Sequence, residues 1–454
     1  MKNLLYFFVL LFPIAVPAQP VCNELYHHKF SKQEVAADID YMYEKIKNAH
    51  INPYTGITQE EFAKKISTVK AALKDSMTQR DFYFAAAPIM VSLNDEHSGM
   101  NDYCVTDSIK NNFKVFPLRF EYENDKIILT ENYSPHDLTP GDELISLNGI
   151  AAADLAENCA RLVPGPPDES KPIAIERLWM YLPKFCYFIE DNYQLLFRSG
   201  KQVLVKSQPW DEFRQNYSKT NPVKKSNPLM QYEKVEDAGY LTVNSFSINS
   251  KLTGEVWDGK LDSIFTLIKR DKVKRLFIDV SNNGGGNSAV GRKLIDYFSG
   301  KPYRTYSGKW KKSAEYVDYM KRNGLFDSKY EKLADGTVME MPQEKIIPKK
   351  KANRFKGITY IVVGKHTFSS AIMFAAIVQD NKLAKLVGET PRKGHPNHFG
   401  ELVVFSTPNT QLNFAFGVKE WIRPAGKSAF NKLVPDIPFV LNGKTPAQII
   451  AGIK

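Results

Sequence analysis

From about residue 236 onward the sequence alternates between two kinds of segment. Short apolar runs, YLTVNSF, RLFIDV, ITYIVV and KLVGE, are interleaved with helical patterns near 288–299 and 370–379. Strands that alternate with helices predict an α/β domain with a largely parallel sheet, because parallel neighbours need a long crossover between them. Ligands and chemistry in such sheets gather at the carboxyl ends of the strands. Attention therefore falls on the loops that leave RLFIDV and ITYIVV.

The preceding chain has a different pattern. Between 31 and 103, Val35, Ile39, Met42 and Ile46, then Phe62, Ile66, Val69 and Leu73, recur at helical spacing. Ser31 with Glu34 and Thr58 with Glu61 form capping boxes at the two starts. From about 113 to 210 the runs FPLRFEY, KIILTENY and KQVLVKS, separated by turn formers, favour β-structure. Within them LTPGDELISLNG (138–149) predicts a turn at Pro140-Gly141-Asp142, a strand to Leu147 and a second turn at Asn148-Gly149. VPGPPDESKP reads as a loop. The expected organisation is multi-domain α/β: a signal peptide at 1–18, a helical domain at 19–105, a β-rich segment at 106–235 and an α/β domain at 236–454.

The signal peptide is read from Lys2, the apolar run LLYFFVLLF and the small-residue site Val16-Pro17-Ala18. That run is too short to span a bilayer, and no later segment approaches the roughly 20 apolar residues required. The expectation is an exported protein, periplasmic or extracellular, with no integral membrane segment after cleavage. Gln19-Pro20-Val21 before Cys22 lacks the pattern of lipid-anchor processing. Cys22, Cys104, Cys159 and Cys186 allow two disulfides in three pairings, and none has metal-ligand spacing. The net charge of +11 comes partly from KWKK (309–312) and PKKKANR (348–354). These clusters lack a nucleic-acid motif, so a solvated surface is expected and no nucleic-acid partner.

Three segments have residues suited to chemistry. After RLFIDV comes Ser281-Asn282-Asn283-Gly284-Gly285-Gly286-Asn287. No Gly-Lys-Ser/Thr follows, which excludes a Walker phosphate loop. The spacing G-x-G-x-x-A at 284–289 admits a dinucleotide site, but no strand-end acid stands at the expected distance. A tight structural turn and an oxyanion hole of glycine amides remain. After ITYIVVG, Ser369 and Ser370 stand between a strand end and a helix start. A serine there is either a helix cap or a nucleophile favoured by the helix dipole. Far upstream, in Leu93-Asn94-Asp95-Glu96-His97-Ser98-Gly99, His97 is either a packed side chain or a base with a pKa near neutrality.

In this order these pieces resemble the tail-specific, or C-terminal processing, serine protease family, especially its tricorn-like branch. The resemblance is carried by HINPY (50–54), Asp95-x-His97, PGDELISLNG, FIDVSNNGGG (277–286), HTFSSA (366–371), GETPRKGHPNHFGE (388–401) and VPDIPF (434–439). It implies a PDZ-like middle segment and a crotonase- or ClpP-like catalytic domain. By resemblance Ser369 is the nucleophile and His97 the base, with oxyanion donors from Ser370 and Gly285 or Gly286. Peptide or protein is the substrate, cleaved through an acyl-enzyme without metal or organic cofactor. A glutamate often found three positions after the nucleophile is Ile372 here. Lys393 in PRKGH lies near the lysine base of another branch, one residue out of place. Glu401 and Glu420 are candidates, by position, for an acid orienting His97. A non-catalytic binding protein on the same fold is the alternative reading.

Overall fold

The computed structural model of the chain describes residues 28–101, 114–165, 167–178, 192–220, 228–249, 251–325, 327–427 and 431–453. The expected signal peptide and Cys22, Cys104 and Cys186 lie outside these residues. The chain forms two compact units, divided at Lys225/Ser226, and Glu401–Gly417 joins the N-terminal one. The segments expected as separate helical and β-rich domains therefore share a unit.

In the C-terminal unit, six strands lie in the order Met230–Val235, Ala238–Val243, Arg275–Asp279, Ile358–Val363, Lys385–Gly388 and Ile437–Pro438. The first pair is an antiparallel hairpin and every later pairing is parallel. These strands are apolar on both faces because both are covered. On one side Leu276, Ile278, Ile361 and Val363 meet Trp257, Leu261, Phe265, Leu294 and Phe374. On the other, Tyr240, Phe277, Tyr360 and Val387 meet Ile449 and Ile450. Trp257, Leu261, Phe265 and Ile268 recur at helical spacing on Gly254–Asp271 and are all buried. Each large apolar side chain buried this way contributes roughly 1.5–3 kcal/mol. The helix Ser370–Asp380 is buried from Ser370 to Val378, so its sequence is apolar all round instead of striped.

Elsewhere in this unit Ser307–Lys311 pairs antiparallel with Val338–Met341 on one side and, through Ser307–Lys309, with Glu420–Ile422 on the other. The basic clusters are engaged locally: Lys309 pairs with Glu340 at 2.6 Å and Lys312 with Asp335 at 2.5 Å. Lys351 lies over the Tyr297 ring, 4.4 Å from its centroid.

In the N-terminal unit, the helices Lys32–Ala49, Gln59–Ala71 and Gln79–Val91 each open on a complete capping box. The boxes are Ser31–Glu34, Thr58–Glu61 and Thr78–Asp81. Val35, Ile39, Met42, Ile46, Phe62 and Ile66 are buried, as their spacing predicts. The tip of the 398–422 hairpin is fixed to these helices. Fully buried Asp38 accepts hydrogen bonds from the amides and side chains of Asn409 and Thr410, at 2.7–3.0 Å. The strand Gly99–Asn101 pairs with Asn413–Ala415 of the same hairpin.

The β-rich part of this unit is an antiparallel sheet in the order Gln202–Lys206, Asn192–Phe197, Glu143–Leu147, Lys126–Asn132, Leu118–Glu123. Asn148 (φ 49°) and Gly149 (φ 79°) make the turn out of Glu143–Leu147, as their residue types predict. The Pro-rich stretch VPGPPDESKP is not wholly a loop, because Pro167–Glu176 is helical, with Glu169 and Ser170 buried. Pro167 opens that helix, where a missing N–H costs nothing, and Pro172 forgoes one backbone bond.

Candidate active site

Ser369 stands between the strand Ile358–Val363 and the helix Ser370–Asp380, with φ 51° and ψ −123°. Strained backbone of this kind costs about 1–3 kcal/mol and persists only where its surroundings enforce it. Ser369 makes no capping hydrogen bond, so its side chain is not spent on the helix start. Ser370 is the first helical residue, and its N–H has no carbonyl of its own helix to reach. The turn is held from below: Thr367 Oγ1 donates to Val280 O and accepts from Gly364 N, both at 2.9 Å.

The glycine loop lies against this turn. Phe368 N donates to Asn283 O at 3.0 Å, and Ser370 Oγ donates to Gly286 O at 2.7 Å. Asn283 is fully buried; its Nδ2 donates to Val243 O at 3.0 Å and its Oδ1 accepts from Gly285 N at 2.8 Å. One amide side chain thus ties a neighbouring strand, the glycine loop and, through its carbonyl, the serine turn. Gly285 has φ 98°, and a Cβ there would fall 2.8 Å from Ser369 Cβ. Its Cα is therefore pressed onto the serine, while its N–H is taken by Asn283. At Gly286 (φ 134°) a Cβ would strike the Phe246 backbone at 2.5 Å.

The PRKGH loop also reaches this turn. The Lys393 ammonium lies 4.9 Å from the Phe368 ring centroid. At Gly394 (φ 92°) a Cβ would meet Phe368 at 2.7 Å and Ile372 Cδ1 at 3.0 Å. Ile372 is buried in the apolar core, which accounts for an apolar residue at that position.

In the N-terminal unit, the helix Gln79–Val91 ends and the chain turns through Asn94, at φ 51°. The HINPY loop buttresses that turn: a Cβ on Gly56 would fall 2.4 Å from Asn94 Cβ, and Thr55 Oγ1 donates to Leu93 O at 3.4 Å. Beyond the turn, His97 Nδ1 lies 3.7 Å from Asp95 Oδ1, and both side chains are almost fully buried. Ser98 Oγ donates to Asp95 Oδ2 at 2.9 Å. Burial would push the Asp95 carboxyl up, but the His97 and His50 imidazoles and the Ser98 hydrogen bond hold it below the usual carboxylate range. The carboxylate paired with His97 is thus that of Asp95, two residues away. The sequence expectation names Glu401 and Glu420 by position, although the spacing Asp95-x-His97 stands in the same segment. Glu420 is ion-paired with Lys427 at 2.5 Å. Glu401 lies on the strand His398–Ser406 at φ 58°. Asp95, Glu96 and His97 also bring ligand atoms within 4.8 Å of one another.

A serine on a strained strand-to-helix turn, at the carboxyl edge of a parallel sheet and backed by a glycine loop, is the arrangement of serine hydrolases. Residues 237–439 match the model of peptidase family S41. That match, over less than half of the chain, is to a family of serine peptidases, hydrolases with peptide or protein substrates. Mature CPAF matches with a TM-score of 0.61 and 13% identity, over 90% of this chain and 92% of that one. The mature CPAF complex with lactacystin matches at 0.61 and 14%, over 90% and 94%. Both likenesses show the mixed α/β fold. No curated protein matches in sequence. Among the described residues no helix is long and apolar enough to cross a membrane.

Proposed function

We propose that the protein is an exported, tail-specific serine peptidase with Ser369 as nucleophile and His97 as base. Ser369 Oγ attacks the peptide carbonyl as its proton passes to the imidazole of His97. The oxyanion is met by the Ser370 N–H and by the glycine loop, with Gly286 supplying the amide and Gly285 the close approach. His97 returns the proton to the leaving amine, and water then releases the acyl-enzyme by the same steps. Asp95 fixes the tautomer by accepting from Nδ1. The two atoms need approach by only about 0.7 Å to form an ordinary hydrogen bond, a tightening common when substrate binds. Lys393 over Phe368 shapes the serine's surroundings.

The observation that carries this reading is the conformation of Ser369, strained and uncapped, with Gly285 pressed against it. Fluorophosphonate labelling of the mature protein tests it, with wild type, Ser369→Ala, His97→Ala and Lys393→Ala compared by intact mass. Labelling that needs Ser369 and His97 but not Lys393 is expected. Equal labelling of wild type and Ser369→Ala ends the proposal. An esterase would also be labelled, so peptide cleavage is assayed in parallel. Export rests on the N-terminal sequence, and cell fractionation checks it.

The Glu143–Leu147 strand, its Asn148-Gly149 turn and the helix Ala152–Ala160 support the PDZ-like reading of the middle segment. Such a segment would recognise a terminal carboxylate through backbone amides. Peptides with free carboxyl ends should therefore be cut faster than their C-terminal amides.

A further inference from the structure

We propose that the outer edge of the strand Val338–Met341, with the apolar pocket beside it, docks an extended apolar segment of the polypeptide substrate. The choice of partner rests on the peptidase reading; the site itself lies outside the serine turn. Trp310 and Met339 stand opposite each other in the pair formed by Ser307–Lys311 and Val338–Met341. Tyr316 and Met320 from the helix Ala314–Arg322, Tyr330 from Ser328–Glu331, and Leu333 close a cavity of about 350 Å³ with those two side chains. Ligand pockets span roughly 300–1,000 Å³.

The walls are braced by neighbours. Tyr330 OH donates to Lys311 O at 3.2 Å, Tyr316 and Tyr330 meet edge to face at 5.8 Å, and the Lys419 ammonium lies 4.3 Å from the Trp310 ring centroid. The carboxylate of Asp327, which also lines the cavity, accepts from Lys329 N at 2.8 Å and so caps its own short helix. What the pocket offers an occupant is therefore aromatic, thioether and aliphatic surface, which selects an apolar group.

The strand edge is the independent indication, because it calls for backbone and not for a small molecule. Lys312 N donates to Thr337 O at 2.8 Å, which marks that pair as hydrogen-bonded. By the alternation of an antiparallel ladder, the pairs Lys311 with Val338 and Lys309 with Glu340 are not. The N–H and C=O groups of Val338 and Glu340 thus point away from Ser307–Lys311, and no described strand takes them. Edges are ordinarily blunted by lysine, proline or a bulge. Between Val338 and Met341 there is none of these; Glu340 is paired with Lys309 at 2.6 Å and Val338 is 55% exposed. A peptide strand laid along this edge hydrogen-bonds to Val338 and Glu340, and every second side chain falls on the Met339 face, where the pocket takes it.

The test uses the whole mature protein. Fluorescein-labelled β-casein, an unfolded polypeptide, is titrated with Ser369→Ala protein, with or without Val338→Pro or Leu333→Asp, and fluorescence anisotropy reports binding. Val338→Pro removes an outward N–H without breaking a ladder bond, and Leu333→Asp puts a charge in the pocket. Thermal melts check folding; should a variant fail, Glu340→Pro or Met339→Asp replaces it. Each change should weaken binding at least about fivefold, the worth of about one hydrogen bond or one buried methylene. In the active protein each should raise KM for casein and leave kcat and the cleavage of a short fluorogenic peptide unchanged. Unchanged casein binding in both folded variants overturns the proposal. Weakening by only one of them overturns the joint use of edge and pocket. A Ser369→Ala dimer in sedimentation that Val338→Pro dissociates also overturns it, since a second copy then occupies the edge. If wild type neither labels with fluorophosphonate nor cuts peptide, the peptidase reading fails, while the anisotropy still decides the docking site.

Discussion

Replacing Gly285 with alanine tests whether the glycine loop shapes the serine turn. At φ 98° an L side chain is strained, at a cost of roughly 1–2 kcal/mol. The new Cβ would lie 2.8 Å from Ser369 Cβ, 2.9 Å from Phe368 O and 3.0 Å from Ser370 N. Ordinary contacts begin near 3.5 Å, so the loop or the turn must retreat by about 0.7 Å. Overpacking of this kind costs about 1–3 kcal/mol. If the fold bears both terms, Gly285→Ala loses roughly 2–5 kcal/mol. If the serine turn yields instead, a shift approaching 1 Å lowers reactivity by about 100-fold. Gly284→Ala is the control, since nothing lies within 4 Å of its Cβ position and its φ is unstrained. Denaturant unfolding and the rate of fluorophosphonate labelling are measured on both. Wild-type stability and a labelling rate within threefold of wild type for Gly285→Ala would refute the argument.

Asp38→Ala should cost about 3–5 kcal/mol in urea unfolding, because it removes a buried charged acceptor and strands the amides of Asn409 and Thr410. The Asp95 carboxyl is held below its ordinary value, so its contribution is present above about pH 4 and is lost as pH falls further. The difference in melting temperature between wild type and Asp95→Asn should therefore hold steady from pH 8 to pH 5 and narrow below pH 4. Burial pushes the Cys159 thiol up to about 12, so at pH 8 mass mapping should find it unmodified by iodoacetamide until the protein unfolds.

What the sequence showed was mostly local. The capping boxes at Ser31 and Thr58, the buried rows from Val35 to Ile66 and the turn at Asn148-Gly149 depend on neighbours a few residues apart. The parallel pairing of the strands, though not their order, followed from their alternation with helices. Contacts between distant segments were not legible. Asn283 sits inside the quoted glycine motif, but its grip on Val243 and Phe368 joins residues 40 and 85 positions away. Nothing local marked Asp38 as the anchor of residues 409–410, or 401–417 as part of the N-terminal unit. The prolines of VPGPPDESKP misled for another reason: proline at a helix start looks, in sequence, like proline in a loop. At the candidate site, Glu401 and Glu420 are acids by position alone, whereas the ion pair of His97 is with Asp95, two residues before it.

The 398–422 hairpin begins and ends in one unit and has its tip in the other. Among the described residues the backbone therefore crosses the division three times: near 225, at 400 and at 417. Neither unit can be cut out as one continuous piece of chain. A fragment made to the limits of the family match, 237–439, would keep the Asn413–Ala415 edge but lose the Gly99–Asn101 strand that covers it. Such an exposed edge templates intermolecular pairing, so that fragment should aggregate. For the same reason, gene fusion or recombination that trades one unit for a foreign counterpart would have to exchange two separate stretches of sequence together.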